Sequence, residues 1–194
     1  TLDNGTRASY DNKGLMGGVS ARYELPFGLA AFGSWAHTKS LPILDDLQVP
    51  AYMNQPEKSR SWEGGLSFDR IGLLSETDRL SIKANYYDTE LTDNTSYSGV
   101  LEVYLKGLEL EASYAMPGGV YVDFNANIVD GERVRTNRVI DDGTNLPANT
   151  YRLAIGKRFG RVFDIRWEGV LAEDRNINGT VHEGYDVHHV RLAY

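Results

Sequence analysis

The chain has 194 residues with a net charge of −7, no cysteine and 41% hydrophobic residues, and its mean hydropathy is −0.40. No run approaches the roughly eighteen apolar residues of a membrane helix, the missing thiols exclude disulfide frameworks and thiolate metal sites, and the acidic balance without a basic face excludes a nucleic-acid partner. Averaged hydropathy does not exclude a transmembrane β-barrel, because only alternate residues of such a strand face lipid.

In chain order, alternation of apolar and polar residues predicts strands at about 14–25, 28–39, 59–70, 79–91, 99–116, 119–130, 149–159, 162–173 and 186–194. The sixth is the clearest. There Val120, Val122, Phe124, Ala126 and Ile128 interleave with Tyr121, Asp123, Asn125 and Asn127. Leu80, Ile82, Ala84 and Tyr86 alternate in the fourth, and Phe163, Ile165, Trp167, Gly169 and Leu171 in the eighth. Strands of soluble sheets run to about five or six residues, whereas a tilted crossing of a bilayer takes about nine to eleven. The connections alternate as well. Pro26-Phe27, 71–78, Pro117-Gly118 and Gly160-Arg161 are short, while 40–58, 92–98, 131–148 and 174–185 are mostly longer. Tight turns on one side and long loops on the other are the habit of outer-membrane barrels.

The fifth strand breaks parity, with Val103 and Leu105 in one register and Leu108, Leu110, Ala112 and Tyr114 in the other. A bulge at Lys106-Gly107 is the expected repair. One face of the predicted sheet collects Glu63, Asp69, Lys83, Asn85, Glu109, Glu111, Asp123, Asn125, Arg152, Arg166 and Glu168. In a barrel that face is the lumen, where charges of mixed sign on adjacent strands can pair. In a soluble sandwich it is simply the wet face. No repeat or low-complexity linker divides residues 1–194, which read as one domain.

Two segments carry a family resemblance. Asn54-Gln55-Pro56-Glu57-Lys58-Ser59-Arg60-Ser61-Trp62-Glu63-Gly64-Gly65-Leu66, an Asn-Pro-rich loop running into Glu-x-Gly at a strand, resembles a stretch of TonB-dependent outer-membrane receptors, and Gly107-Leu108-Glu109-Leu110-Glu111-Ala112-Ser113-Tyr114 resembles their Gly-x-Glu-x-Glu strand. The resemblance implies about nine or ten long tilted antiparallel strands from the later part of a barrel of about twenty-two strands. The plug domain, the TonB box and the closing strands would then lie elsewhere in a longer chain. The opening Thr1-Leu2-Asp3, with neither Met nor an apolar leader, fits a processed chain or a piece of one. Alternating His188, Val190, Leu192 and Tyr194 would equally suit a barrel's last strand.

The function so implied is TonB-dependent uptake of a scarce nutrient across the bacterial outer membrane. A ferric siderophore or other iron chelate is the first candidate cargo, and the TonB complex, the plug domain and the lipid bilayer are the partners. Haem stands second, because the stretch between Lys39-Ser40-Leu41-Pro42 and Asn54-Gln55-Pro56-Glu57 holds no histidine. Two alternatives stay open: a soluble secreted β-sandwich binding module, and a small complete outer-membrane barrel acting as porin or enzyme.

Catalytic signatures are weak. Glu109 and Glu111 share a face about 6.5–7 Å apart, near the spacing of an inverting glycosidase pair, but such pairs are common on amphipathic strands, and hydrogen bonding to a plug is the better expectation. His188 and His189 leave opposite faces and cannot share a metal. No enzyme activity, cofactor or metal site is therefore expected. Loop residues offered for ligand contact are Tyr52, Tyr97, Arg135, Arg138 and His182, since rings and guanidinium forks suit a bulky anionic chelate.

Overall fold

A computed structural model describes residues 13–41, 56–93, 102–135, 138–140, 147–160, 162–177 and 180–194. Nine long strands form one antiparallel meander: β1 (Gly17–Glu24), β2 (Leu29–Ser40), β3 (Glu57–Ile71), β4 (Arg79–Thr92), β5 (Glu102–Ala115), β6 (Val120–Arg135), β8 (Thr150–Phe159), β9 (Phe163–Ala172) and β12 (Tyr185–Ala193). Short β7 (Arg138–Ile140) pairs with the end of β6, and β10 (Arg175–Ile177) with β11 (Thr180–His182) makes a separate hairpin. Each long strand pairs with its sequence neighbour, as hairpin connections dictate. β1 and β12 form the two edges, so the sheet is open.

All nine expected strands are present, and four short turns alternate with the long connections. Within the loop expected at 131–148, β6 runs on to Arg135 and folds back through β7. The first turn shows how local chemistry closes a hairpin. Pro26 is followed by Phe27 at φ 66° and Gly28 at φ 83°, and the Leu25 N–H donates to the Leu29 carbonyl at 2.7 Å. Gly28 has no substitute, because a Cβ there would stand 2.0 Å from the Asp69 carbonyl oxygen of β3.

The bulge expected at Lys106-Gly107 is absent. β5 pairs residue for residue with β4 from Arg79↔Ala115 to Thr92↔Glu102, and with β6 from Glu102↔Val134 to Ala115↔Tyr121. The apparent parity break is a change of surroundings. Leu108, Leu110, Ala112 and Tyr114 continue on the same face as Lys106, Tyr104 and Glu102, so that face turns from apolar to charged where the strand leaves the lipid. Gly107 has another purpose, since the Tyr87 ring lies across it and a Cβ there would meet that ring at 2.5 Å.

Register divides the sheet into two faces. One carries Val19, Tyr23, Trp35, Trp62, Leu66, Ile82, Leu153, Ile155, Ile165 and Leu171, all among the exposed large hydrophobic residues. Val122, Phe124 and Trp167 share it. An apolar surface of this extent is untenable in water unless something covers it. No second sheet packs on it among the described residues, which sets aside the sandwich. Rings collect towards its two ends, with Trp62 5.3 Å from Tyr86 towards the long loops and Phe159 5.8 Å from Phe163 at a short turn, while Trp167 and His188 lie 5.5 Å apart between them. Such paired girdles mark the two interfaces of a bilayer.

Candidate functional site

The opposite face is polar along its whole width, and it carries every one of the eleven residues expected there. Asn85, Glu109 and Asn127 stand in one cross-strand row, and Lys83, Glu111 and Asn125 in the next. Opposite Asn125 is Arg152, and opposite Ala154 is Glu168. The alternation of these strands leaves no other arrangement once the first pair is fixed.

Charges on this wall sort into two territories. Over β3–β5 the balance is acidic. The buried Asn85 amide donates through Nδ2 to Glu63 Oε2 and Glu109 Oε2, each at 3.3 Å, and Ser34 Oγ donates to Glu63 Oε1 at 2.9 Å. Glu63, Asn85 and Glu109 border a groove of about 320 Å³ together with Tyr87. A second groove of about 510 Å³ is bordered by Glu109, Glu111, Asn125, Asn127 and Arg152.

Over β6–β12 the charges interlock. Arg152 Nη2 donates to Glu168 Oε2 at 2.7 Å, and Arg166 reaches the same carboxylate at 3.2 Å and Asp123 at 3.3 Å. Ser113 Oγ donates to the other oxygen of Asp123 at 2.8 Å. Beneath this network the Tyr121 hydroxyl donates to Asp164, 3.1 Å from each carboxylate oxygen, and the Arg158 guanidinium lies 4.9 Å from the Tyr121 ring centre. Groups shared in this way hold one another in place more firmly than isolated surface pairs do.

Three buried polar atoms on the wall, Asn85 Oδ1, Asn127 Oδ1 and Arg166 Nε, have no partner among the described residues. Buried polar groups are nearly always satisfied. These three atoms lie beneath the wall's surface, and the groups it exposes over β3–β5 are the carboxylates of Glu63, Glu109 and Glu111.

Of the loop residues expected to meet ligand, Tyr52 and Tyr97 lie outside the described residues. Arg135 and Arg138 do come together, directly opposite each other across the β6–β7 pair. His182 is exposed at the end of β11, opposite Arg175. Among the described residues the two hairpins belong to different sheets. Sequence reasoning passed over Asn149, which stitches the loop-side end of the wall. Its Oδ1 accepts the Val129 N–H at 2.9 Å, and its Nδ2 donates to Glu173 at 2.9 Å. An Asn just before a strand gives no signal of this kind until the strands are laid side by side.

Among comparisons with known proteins, the whole chain, residues 1–194, matches the family described as TonB dependent receptor-like, beta-barrel. The chain belongs to that family. Its sheet is accordingly part of the wall of a bacterial outer-membrane barrel, with the apolar face towards lipid and the polar wall towards the lumen. A solved structure titled copper transporter OprC is similar in fold, with a TM-score of 0.74 and 18% sequence identity over 92% of this chain. The match spans 31% of that protein. No curated protein sequence matches. The family and this neighbour are receptors and transporters, and neither description names an enzyme.

Proposed function

We propose that this chain is the later part of the barrel of a TonB-dependent receptor that imports a scarce nutrient, with capture by the long loops and passage along the polar wall. The observation that carries the reading is the wall itself: a hydrated face whose grooves are bordered by Glu63, Asn85, Glu109, Glu111, Asn127 and Arg152. A barrel completed to about twenty-two strands encloses a lumen wide enough to require a gate. The exposed carboxylates of Glu63, Glu109 and Glu111 in the acidic territory around Asn85 suit a plug domain that brings N–H donors and cations to β3–β5.

The cargo we favour is a ferric siderophore or another iron chelate. Paired charges and amides, rather than a clustered ligand set, suit a metal that arrives already coordinated. The facing Arg135 and Arg138 positions suit carboxylate or catecholate oxygens. This chain supplies no covalent step in the process, since binding and gating suffice.

Uptake of radiolabelled iron chelates by cells expressing the intact receptor tests the reading. Accumulation should be saturable and should disappear both on deletion of the receptor and on loss of TonB. Equal accumulation with and without the receptor, across siderophore classes, would remove the iron reading. Accumulation that survives loss of TonB would instead point to an open pore.

A further inference from the structure

The two rims of the sheet meet the membrane differently. On the long-loop side, the lipid-facing positions of β3–β6 continue past the apolar band as Arg60, Glu90, Asp88, Lys106 and Asp130, with Arg60 paired to Glu90, and Lys106 to Asp130 at 3.0 Å. β3 has 15 residues, which at a tilt near 40° rise to about 40 Å, against an apolar band of about 25 Å. The surplus therefore stands clear of the bilayer at the charged end, and the strands stop near lipid at the other.

There each short turn presents an exposed apolar residue. Phe27 is 79% exposed, Leu74 80% and Val162 59%, each at the tip of a different short turn, and Met116 occupies the fourth. Phe27 holds φ at 66°, a left-handed conformation that a turn in water ordinarily gives to Gly or Asn. Here it projects a ring outward. Basic residues flank this rim on the lipid side: Arg70 lies beyond Phe68 along β3, and Lys157 Nζ sits 5.0 Å over the Phe159 ring. Long cations of this kind rise to phosphate level from a seat in lipid. The carboxylate of Asp78, on the same side, is fully covered by the 72–75 turn and the Tyr114 hydroxyl.

From this we infer that the short-turn rim is a membrane anchor: Phe27, Leu74 and Val162 sit in the headgroup–acyl boundary of the leaflet on that side rather than in the aqueous space below it. Continuity with the lipid-facing band, through Leu29, Phe68, Tyr114 and Phe163, identifies phospholipid as the occupant. The anchor fixes the height of the barrel in the membrane, so the charged extensions at the opposite rim always stand outside it.

The chain has no cysteine, so single-cysteine variants of the intact receptor can carry a nitroxide at Phe27→Cys, Leu74→Cys or Val162→Cys. Phe68→Cys serves as the lipid reference and the exposed turn residue Glu76→Cys as the aqueous one. In vesicles of phosphatidylethanolamine and phosphatidylglycerol, collision with oxygen should exceed collision with a water-soluble nickel chelate at the three turn sites severalfold more than at Glu76. Ratios at Phe27 and Leu74 equal to that at Glu76 would overturn the inference. Phe27→Gly gives an independent test, because it relieves the backbone while removing the ring. Folding into detergent should be unchanged and insertion into vesicles slowed severalfold; equal insertion would also overturn it.

Discussion

Gly156 and Tyr121 face each other across β6 and β8, and substituting Ala for Gly156 tests whether that joint holds the wall. A Cβ at 156 would stand 2.3 Å from Tyr121 Cζ and 2.4 Å from its hydroxyl oxygen. Carbon atoms settle at about 3.5–4.0 Å, so the ring has to move by more than about 1 Å. It has nowhere cheap to go. Tyr121 is 7% exposed, its hydroxyl is held by Asp164, and Arg158 lies against its ring. Overpacking costs about 1–3 kcal/mol, and a lost hydrogen bond to a charged group about 1.5–3 kcal/mol. Because the two losses overlap, about 2–4 kcal/mol is expected in total. Urea unfolding of the intact receptor in detergent micelles, followed by tryptophan fluorescence, measures it. Tyr121→Ala removes the obstacle, so Gly156→Ala added to that variant should cost less than about 1 kcal/mol, and the cycle should show strong coupling. A loss below about 0.5 kcal/mol for Gly156→Ala alone, or simple additivity in the double variant, would refute the reasoning.

Asn149→Ala should cost about 1–3 kcal/mol by leaving the Val129 N–H without its acceptor and Glu173 with only the Tyr151 hydroxyl as donor, and hydrogen exchange should quicken at Val129 while that at Val122 stays slow. The Asp78 carboxyl is held at about 2, against an ordinary value of 3.8, first by the Tyr114 hydroxyl and then by backbone N–H groups of the turn. A depressed value stabilises the folded turn above pH 3.8, and that contribution is lost as pH falls towards 2. Proteolysis within 72–78 should therefore accelerate only below about pH 4, and Asp78→Asn should abolish the pH dependence. Replacing Arg135 and Arg138 together with Ala should weaken chelate binding by about 1–3 kcal/mol if they donate charge-assisted bonds. The melting temperature should hardly move, and unchanged affinity in a titration would return that hairpin to a solvated connection.

The sequence by itself determined the strands, the alternation of turns and loops, and the composition of both faces, because side chains alternate with a fixed period of two and nothing in a meander can disturb that period without exposing the wrong face. Glu63, Asn85, Glu109, Arg152 and Glu168 were legible as one wall for that reason. The same rule misled at Lys106-Gly107. Parity reports what a side chain faces, and a strand long enough to leave the bilayer changes its surroundings without changing its register. Only the tertiary structure could decide that the strand runs straight, that Gly107 and Gly156 are spaces for Tyr87 and Tyr121, and that Asn149 closes the upper ladder. It alone showed that Asn85 bridges two glutamates while its own carbonyl stays open. These contacts join residues 20 to 43 positions apart, and such pairs depend on register across strands, which local sequence does not encode.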